Sequence, residues 1–306
     1  MRLLVSFLFT VLVSLVSCNG ASESILPEPS IPKNQDSITN QDSIVFDVSK
    51  IMNVGAHPNS YYTQSMSVYG DTAFVFYTNG YCRIFDLKNR KLLKETVLAS
   101  QSTNNHVNSS MFSNVFYDEE DKFPLLYVSP YGYQTCYVER YHKDENTFEL
   151  IQTIKVNTSK YNKEYGEFVV DEDKGLLYCI TFPSTKADNS HIKIFNLPDI
   201  NNKQVTLTDN DLLTIKVVKL DFANILQGAY YHNGYIYMIF GWPETRQQFY
   251  RVDTDSFNYC GYDFSGLFNG IEPEGISLYK DSFVICTNYP AAIWKLFKVI
   301  NYTGEN

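Results

Sequence analysis

The feature that most constrains the fold is a strand pattern that returns five times along the chain. Each repeat opens with a polar or glycine-containing segment and continues with a short strand, a turn and an aromatic-aliphatic strand. The openings are Tyr62-Thr63-Gln64-Ser65, His106-Val107-Asn108-Ser109, Tyr165-Gly166-Glu167-Phe168, Leu226-Gln227-Gly228-Ala229 and Glu272-Pro273-Glu274-Gly275. Their spacing of roughly 45 to 60 residues is that of β-propeller blades, which are four-stranded sheets around a central channel. The sequence therefore predicts an all-β propeller.

The number of blades follows from the two ends of the pattern. The last repeat has only three predicted strands: Gly275 to Tyr279, Ser282 to Thr287 and Ala292 to Val299. An isolated strand, Ser43 to Val48, precedes the first repeat. As the outer strand of the last blade, it would close the ring and remove two exposed sheet edges. We expect five four-stranded blades closed by this N-terminal strand, with six blades as the alternative.

Residues 1–17 have the features of a bacterial lipoprotein signal peptide. Arg2 supplies a positive charge, and Leu3 to Val16 is an almost unbroken apolar run that is too short to span a bilayer. The run ends in Leu15-Val16-Ser17-Cys18, which resembles the lipobox whose cysteine receives diacylglycerol. We therefore expect lipidation of Cys18 and attachment to the cell envelope, with the outer membrane as the expected location.

Residues 18–42 have the composition of a tether between the lipid and the folded domain. The segment is rich in Ser, Asn, Gln and Glu, and Pro27, Pro29 and Pro32 lie close together. It contains too few large apolar side chains to offset the entropy of ordering it. We expect a disordered, extended spacer, followed by the propeller domain at 43–306.

Charge and cysteine usage exclude several classes of function. The formal net charge is −9, and the basic residues are scattered without forming a stripe, which argues against nucleic-acid binding. Five cysteines remain after Cys18, and none has the spacing of a metal site. A catalytic thiol needs an accessible, electropositive setting, and the sequence around these cysteines provides none.

The five openings are the expected functional site, because equivalent positions of successive blades converge around one axis. The candidate ligand-binding residues are Gln64, His106, Asn108, Glu167, Gln227, Glu272 and Glu274. The set is rich in oxygen and contains one imidazole. Such a set can hold a hard cation such as Ca²⁺, which takes six to eight oxygen ligands. It can equally bind a glycan or an envelope protein, or hydrogen bond to neighbouring blades and water.

Glu272-Pro273-Glu274-Gly275 is the sharpest single motif of the chain. A similar Glu-Gly pair opens an inner strand in phytase-like and lactonase-like propellers, where the acid can face the channel. We expect one of the two glutamates to point away from the channel. Five-bladed glycosidases use two carboxylates that flank the scissile bond, and acids in the openings come only from the third and fifth repeats.

Several segments resemble the uncharacterised TolB-like propeller lipoproteins of Bacteroides-type bacteria. These are His106-Val107-Asn108-Ser109, the run from Asp121 to Ser129, the run from Phe195 to Ile200, and Glu272-Pro273-Glu274-Gly275-Ile276. The resemblance covers most of residues 60–300. It implies a propeller on the cell envelope, and it implies no established activity. Those relatives are usually described as six-bladed.

Two classes of function remain open from the sequence. The first is a non-enzymatic envelope module that binds a ligand or a protein through the channel mouth. The alternative is a hydrolase, either a glycan hydrolase or a metal-assisted lactonase or esterase. The sequence has no GxSxG elbow, P-loop or HExxH motif that would favour the second class. Two or three carboxylates within about 10 Å of one another in an open pocket would favour the enzyme, whereas amides, hydroxyls and aromatic rings would favour binding.

Overall fold

The computed structural model is a five-bladed all-β propeller. It describes residues 15–16, 43–56, 62–102, 105–162, 164–182, 189–219, 225–242, 247–263, 266–268 and 270–301. These residues form 22 strands, numbered β1 to β22 in chain order, and one 3₁₀ turn at Thr78–Gly80. They include no helix that is long and apolar enough to cross a membrane.

The first three blades follow one another along the chain, each running from its innermost to its outermost strand. Blade 1 consists of β3 (Thr63–Tyr69), β4 (Thr72–Tyr77), β5 (Tyr81–Asp86) and β6 (Lys91–Val97). Blade 2 consists of β7 (Val107–Phe112), β8 (Leu126–Pro130), β9 (Thr135–His142) and β10 (Thr147–Val156). Blade 3 consists of β11 (Tyr165–Asp171), β12 (Leu176–Phe182), β13 (Asn189–Asn196) and β15 (Leu212–Lys219).

The last two blades complete the ring. Blade 4 consists of β16 (Leu226–His232), β17 (Tyr235–Phe240), β18 (Gln248–Asp253) and β19 (Tyr259–Asp263). Blade 5 consists of β20 (Glu272–Tyr279), β21 (Ser282–Asn288), β22 (Ala292–Asn301) and β2 (Ser43–Asn53). The expected five blades are therefore confirmed, and the six-bladed alternative is wrong.

Blade 5 is built from both ends of the domain, as the three-stranded last repeat predicts. Strand β2 pairs antiparallel with β22, from Ser43 opposite Asn301 to Asn53 opposite Ala292. The N-terminal strand is therefore the outer strand of the last blade. Its pairing covers the free edge of β22 and closes the ring.

The hydrophobic core lies between neighbouring blades. Phe74 and Phe76 of β4 pack in the cluster shared with blade 2, whereas Val75 and Tyr77 of the same strand pack in the cluster shared with blade 5. Successive residues of a strand point to opposite faces of the sheet. Both faces of the second strand are therefore buried, which explains why these strands are continuous aromatic-aliphatic runs in the sequence.

Two short strands extend blades beyond four strands. Strand β14 (Gln204–Leu207) lies in the connection between β13 and β15 of blade 3, yet it pairs parallel with β10 of blade 2. Strand β1 (Leu15–Val16) pairs antiparallel with β19 of blade 4. The sequence predicts neither addition, because both lie outside the hairpin pattern of their blade. The rest of the expected signal peptide and all of the expected tether lie outside the described residues.

The closure of the ring is tested by two truncations. A chain that begins at Ser43 keeps β2 and should melt like one that keeps the expected tether. A chain that begins at Val54 lacks β2. It exposes the edge of β22 and the core residues against which Met52 of β2 packs. We expect its melting temperature to fall by several degrees, as for a loss of a few kcal/mol, in differential scanning calorimetry. Equal melting temperatures for the two chains would contradict the closure.

Candidate functional site

The openings of the blades converge on one cavity, as their repeat position predicts. The cavity has a volume of about 480 Å³ and lies where the inner strands begin. Six of the seven candidate residues line it: Gln64, His106, Asn108, Gln227, Glu272 and Glu274. Glu167 is the exception, because it is buried beneath the cavity. Their role in ligand binding stays a prediction, whereas their convergence is a property of the fold.

A β-bulge marks the cavity residue in four of the five inner strands. The pairing of the first and second strands shifts register between Thr63 and Ser65, Val107 and Ser109, Leu226 and Gly228, and Pro273 and Gly275. The residues left out of the ladder are Gln64, Asn108, Gln227 and Glu274. A bulge leaves its extra residue unpaired and redirects the side chain. In blade 3 the pairing is regular, and Glu167 lies opposite Ile180.

Small residues let the inner strands meet below the cavity. A Cβ atom on Gly275 would lie 2.7 Å from the backbone nitrogen of Met66, and one on Gly228 would lie 3.1 Å from Cα of Gly275. The Ser109 hydroxyl donates to the carbonyl oxygen of Ala229 at 3.2 Å, which joins blades 2 and 4 across the axis. Among the described residues the channel is therefore closed at this level, and the site is a bowl that opens on one face.

Glu167 lies beneath the cavity and is only 1% exposed. Its Oε1 accepts a hydrogen bond from the side-chain amide of Asn108, whose Nδ2 also donates to the carbonyl oxygen of Leu226 at 3.0 Å. Burial raises the pKa of Glu167 to about 8, although hydrogen bonds from Asn108 and Ser109 oppose the shift. At neutral pH this carboxyl is therefore largely protonated, and it positions Asn108.

Glu272 and Glu274 form a hydrogen-bonded pair on one wall of the cavity. Burial, and then the charge of Glu272, raises the pKa of Glu274 well above its usual range. Burial also raises the pKa of Glu272, but hydrogen bonds from Glu274, Asn288 and Gln227 oppose that shift. The Gln227 amide donates to Oε1 of Glu272 at 2.7 Å. Glu274 is therefore the protonated partner of the pair, and its hydroxyl donates a hydrogen bond to Glu272.

Both glutamates line the cavity, so the expectation that one of them points away is wrong. Residues two apart on a strand share a face, and the bulge at Glu274 keeps its side chain on the cavity side.

Aromatic side chains form the rim of the cavity. Tyr62 and Tyr289 meet edge to face with ring centroids 5.4 Å apart, and Trp242 is 48% exposed. His106 lies against Tyr131 at 5.4 Å, and burial lowers its pKa to about 4, so that its imidazole is neutral at pH 7.

Part of this rim has a sequence signal that the prediction from the strand pattern missed. Tyr131, Trp242 and Tyr289 each follow the second strand of a blade by one or two residues. An aromatic residue at this repeat position therefore identifies three of the rim residues.

The described residues provide no set of three His, Cys, Asp or Glu side chains that could hold a metal ion. Burial raises the pKa of both carboxyls that line the cavity, which reduces the negative charge that they offer to a metal ion. Calcium would then depend on amide oxygens for most of its ligands, and the geometry gives the expected Ca²⁺ site little support.

The cysteines offer no activated nucleophile among the residues that the structure describes. Cys82, Cys136, Cys179 and Cys286 are free and buried. Burial raises the pKa of each of these thiols, that of Cys179 to about 12. Cys260 is disulfide-bonded.

Comparison with known proteins supports the fold. No protein-family model matches the chain, and no curated protein matches it. The crystal structure of Myxococcus xanthus glutaminyl cyclase is similar, with a TM-score of 0.51 and 10% identity over 84% of this chain and 98% of that one. The β-propeller domain of Myceliophteria thermophila Cps50 (Swd1) matches with a TM-score of 0.36 and 9% identity over 66% of this chain and 51% of that one. At 10% identity the likeness to the cyclase shows a shared fold.

The raised pKa of Glu167 predicts how stability depends on pH. A carboxyl whose pKa rises on folding stabilises the folded state fully below its unfolded pKa, and this stabilisation is lost as the pH rises towards 8. Glu167→Gln keeps the acceptor for Asn108 and removes the titration. We expect the wild type to lose up to about 1.4 kcal/mol per pH unit more than the variant between about pH 5 and pH 8. Urea unfolding across this range measures the difference.

The control for this experiment is Glu120→Gln, which removes an exposed carboxyl. Its stability profile should run parallel to that of the wild type. If the Glu167→Gln profile is also parallel, then Glu167 is ionised in the folded protein and the assignment is wrong.

Proposed function

We propose that the protein is a lipid-anchored propeller of the bacterial cell envelope that binds a small ligand in the cavity at the blade openings. The observation that carries the proposal is the convergence of six predicted polar residues on one cavity of about 480 Å³ with an aromatic rim. Pockets of this size that combine apolar walls with a few convergent polar groups are typical of ligand sites. The resemblance to TolB-like lipoproteins supports the envelope location and leaves the ligand open.

The arrangement of the acids favours binding over glycan hydrolysis. Catalytic carboxyl pairs of glycosidases lie about 5 to 9.5 Å apart on either side of the bond that is cleaved. Glu272 and Glu274 instead hydrogen bond to each other on one wall. The cavity is also lined by Gln64 and Asn108, which are amides. Amides and aromatic rings also suit a glycan or an extended segment of an envelope protein, which remain the proposed partners.

An enzyme is the second candidate, and one observation favours it. Glu274 is a carboxylic acid that stays protonated beside the Glu272 carboxylate, and such a pair can serve as a proton donor and acceptor. The similar structure from Myxococcus xanthus is that of an enzyme, a glutaminyl cyclase, although the identity is only 10%. A hydrolase with a lactone or ester substrate would use the pair in this way without a metal.

The path of β2 supports an orientation for the anchored protein. Asn53 pairs with Ala292, close to the cavity residue Tyr289, whereas Ser43 pairs with Asn301 at the other end of the strand. The eleven residues of β2 span about 33 Å. The expected tether therefore joins the domain at the face opposite the cavity, which allows the cavity to open away from the membrane.

Lipidation is tested at Cys18. Cys18→Ala should leave the membrane fraction or accumulate as an uncleaved precursor, because the acceptor of the lipid is removed. Cell fractionation and electrophoretic mobility measure this, and Cys82→Ala serves as the control. A Cys18→Ala protein that fractionates and migrates like the wild type contradicts the lipid anchor.

Glu274→Gln distinguishes the binding module from the enzyme. Gln has the shape of the protonated acid and can still donate to Glu272, so ligand binding should change by less than about threefold. An enzyme that uses Glu274 as its acid would lose about 10²- to 10⁴-fold in turnover. A glycan array combined with a hydrolase screen on both proteins measures the two effects. Turnover by the wild type that the substitution abolishes would contradict the binding module.

A further inference from the structure

The amides around the cavity have used their donors on the protein itself. Nδ2 of Asn108 donates to Glu167 and to the carbonyl oxygen of Leu226. Nε2 of Gln227 donates to the carbonyl oxygen of Gly241 at 2.9 Å and to Glu272 at 2.7 Å. Backbone carbonyls only accept hydrogen bonds. These contacts therefore show that the NH₂ end of each side-chain amide faces the protein and that the oxygen end faces the cavity. Each side chain keeps its carbonyl oxygen as the group available to a ligand.

Gln64 adds an acceptor that is buried and has no partner. The residue is 4% exposed, it lines the cavity, and its Oε1 makes no hydrogen bond among the described residues. A buried polar atom without a partner is costly and calls for an explanation, such as an absent ligand. The Glu272 carboxylate lines the same cavity. We name Oε1 of Gln64, the side-chain carbonyls of Asn108 and Gln227, and the carboxylate of Glu272 the acceptor ring.

The described surroundings of the acceptor ring lack a positive charge that would attract an anion, and they favour organic cations. None of the described lining residues is Lys or Arg, and His106 is neutral at pH 7. A cavity of about 480 Å³ is far larger than a bare metal ion needs. The half-exposed rings of Tyr62 and Trp242 offer faces that attract a desolvated cation. The donors that complement such a ring are those of a group rich in N–H, and the complementary charge is positive.

We propose that the acceptor ring binds a ligand through a primary ammonium group, with the organic part of the ligand held against the aromatic rim. The inference rests on the proposed binding function and names the chemistry of its ligand. An ammonium has three N–H donors and one positive charge, which match the carbonyl oxygens and the Glu272 carboxylate of the ring.

The test uses two series of related probes, each of which presents an ammonium, a neutral amide or a carboxylate on a similar scaffold. One consists of phenethylamine, N-acetylphenethylamine and 3-phenylpropionate, and the other of glucosamine, N-acetylglucosamine and glucuronate. Calorimetric titration of the purified domain should show at least a tenfold tighter dissociation constant for the ammonium than for the neutral member of a series. The acids should not bind.

Two variants locate this binding at the acceptor ring. Glu272→Gln removes the charge and should weaken ammonium binding at least tenfold. Gln64→Leu removes an acceptor without a partner, so it should weaken binding while the melting temperature stays equal or rises. Glu120→Gln removes an exposed charge on the opposite face and should leave binding unchanged. If Glu272→Gln fails to fold, Gln64→Leu still provides the test.

The failure of this inference is distinguishable from that of the proposed function. The ammonium inference is wrong if neutral and ammonium probes bind equally. It is also wrong if a neutral glycan binds in the cavity and Glu272→Gln leaves that binding unchanged. Both results keep the binding module. Calcium chloride that binds the wild type but not Glu272→Gln also overturns it, in favour of a metal. No binding of either ammonium at about 10 mM, where millimolar affinities are detectable, overturns it as well. If no glycan of the array binds either, the proposed binding function is also wrong.

Discussion

The antiparallel ladder between β2 and β22 is the interaction on which the rest of the structure depends, because it joins the two ends of the domain. Blades pack on their neighbours through clusters such as that of Phe74 and Phe76, so an open ring would expose the faces of two blades as well as two strand edges. Closure also fixes the angle between neighbouring blades. The positions of the five inner strands around the axis, and with them the cavity, follow from that angle.

The fold could be predicted from the sequence because each blade repeats the same physical problem. A strand that is buried on both faces has to be largely apolar. Ala73 to Tyr77 is such a run in the first repeat, and each later repeat has a run of the same kind. The missing strand of the last blade could be assigned to Ser43 to Val48 because the last repeat has only three strands and this strand precedes the first repeat. Strand β14 escaped prediction because its four residues pair with a strand of another blade. Neither alternation nor a hairpin turn signals such a pairing.

The members of the candidate site could be predicted from their repeat position, but their chemistry could not. Register shifts at Gln64, Asn108, Gln227 and Glu274 decide where these side chains point, and a bulge has no reliable signal in a single sequence. Glu167 occupies the equivalent position on a strand without a bulge, and it is buried under Asn108 instead of facing the cavity. The sharing of a proton by Glu272 and Glu274 depends on contacts that only the fold creates.

The hydrogen bonds that hold the inner strands in place also decide which ligands the cavity favours. The amide of Asn108 joins blades 2, 3 and 4 by donating to Glu167 and to Leu226. The amide of Gln227 joins blades 4 and 5 by donating to Glu272. Because these donors stabilise the ring, the amides of Asn108 and Gln227 offer their carbonyl oxygens to the cavity. A ligand that accepts hydrogen bonds from these two amides would have to break contacts between blades, so the packing of the propeller keeps both amide donors turned away from the cavity.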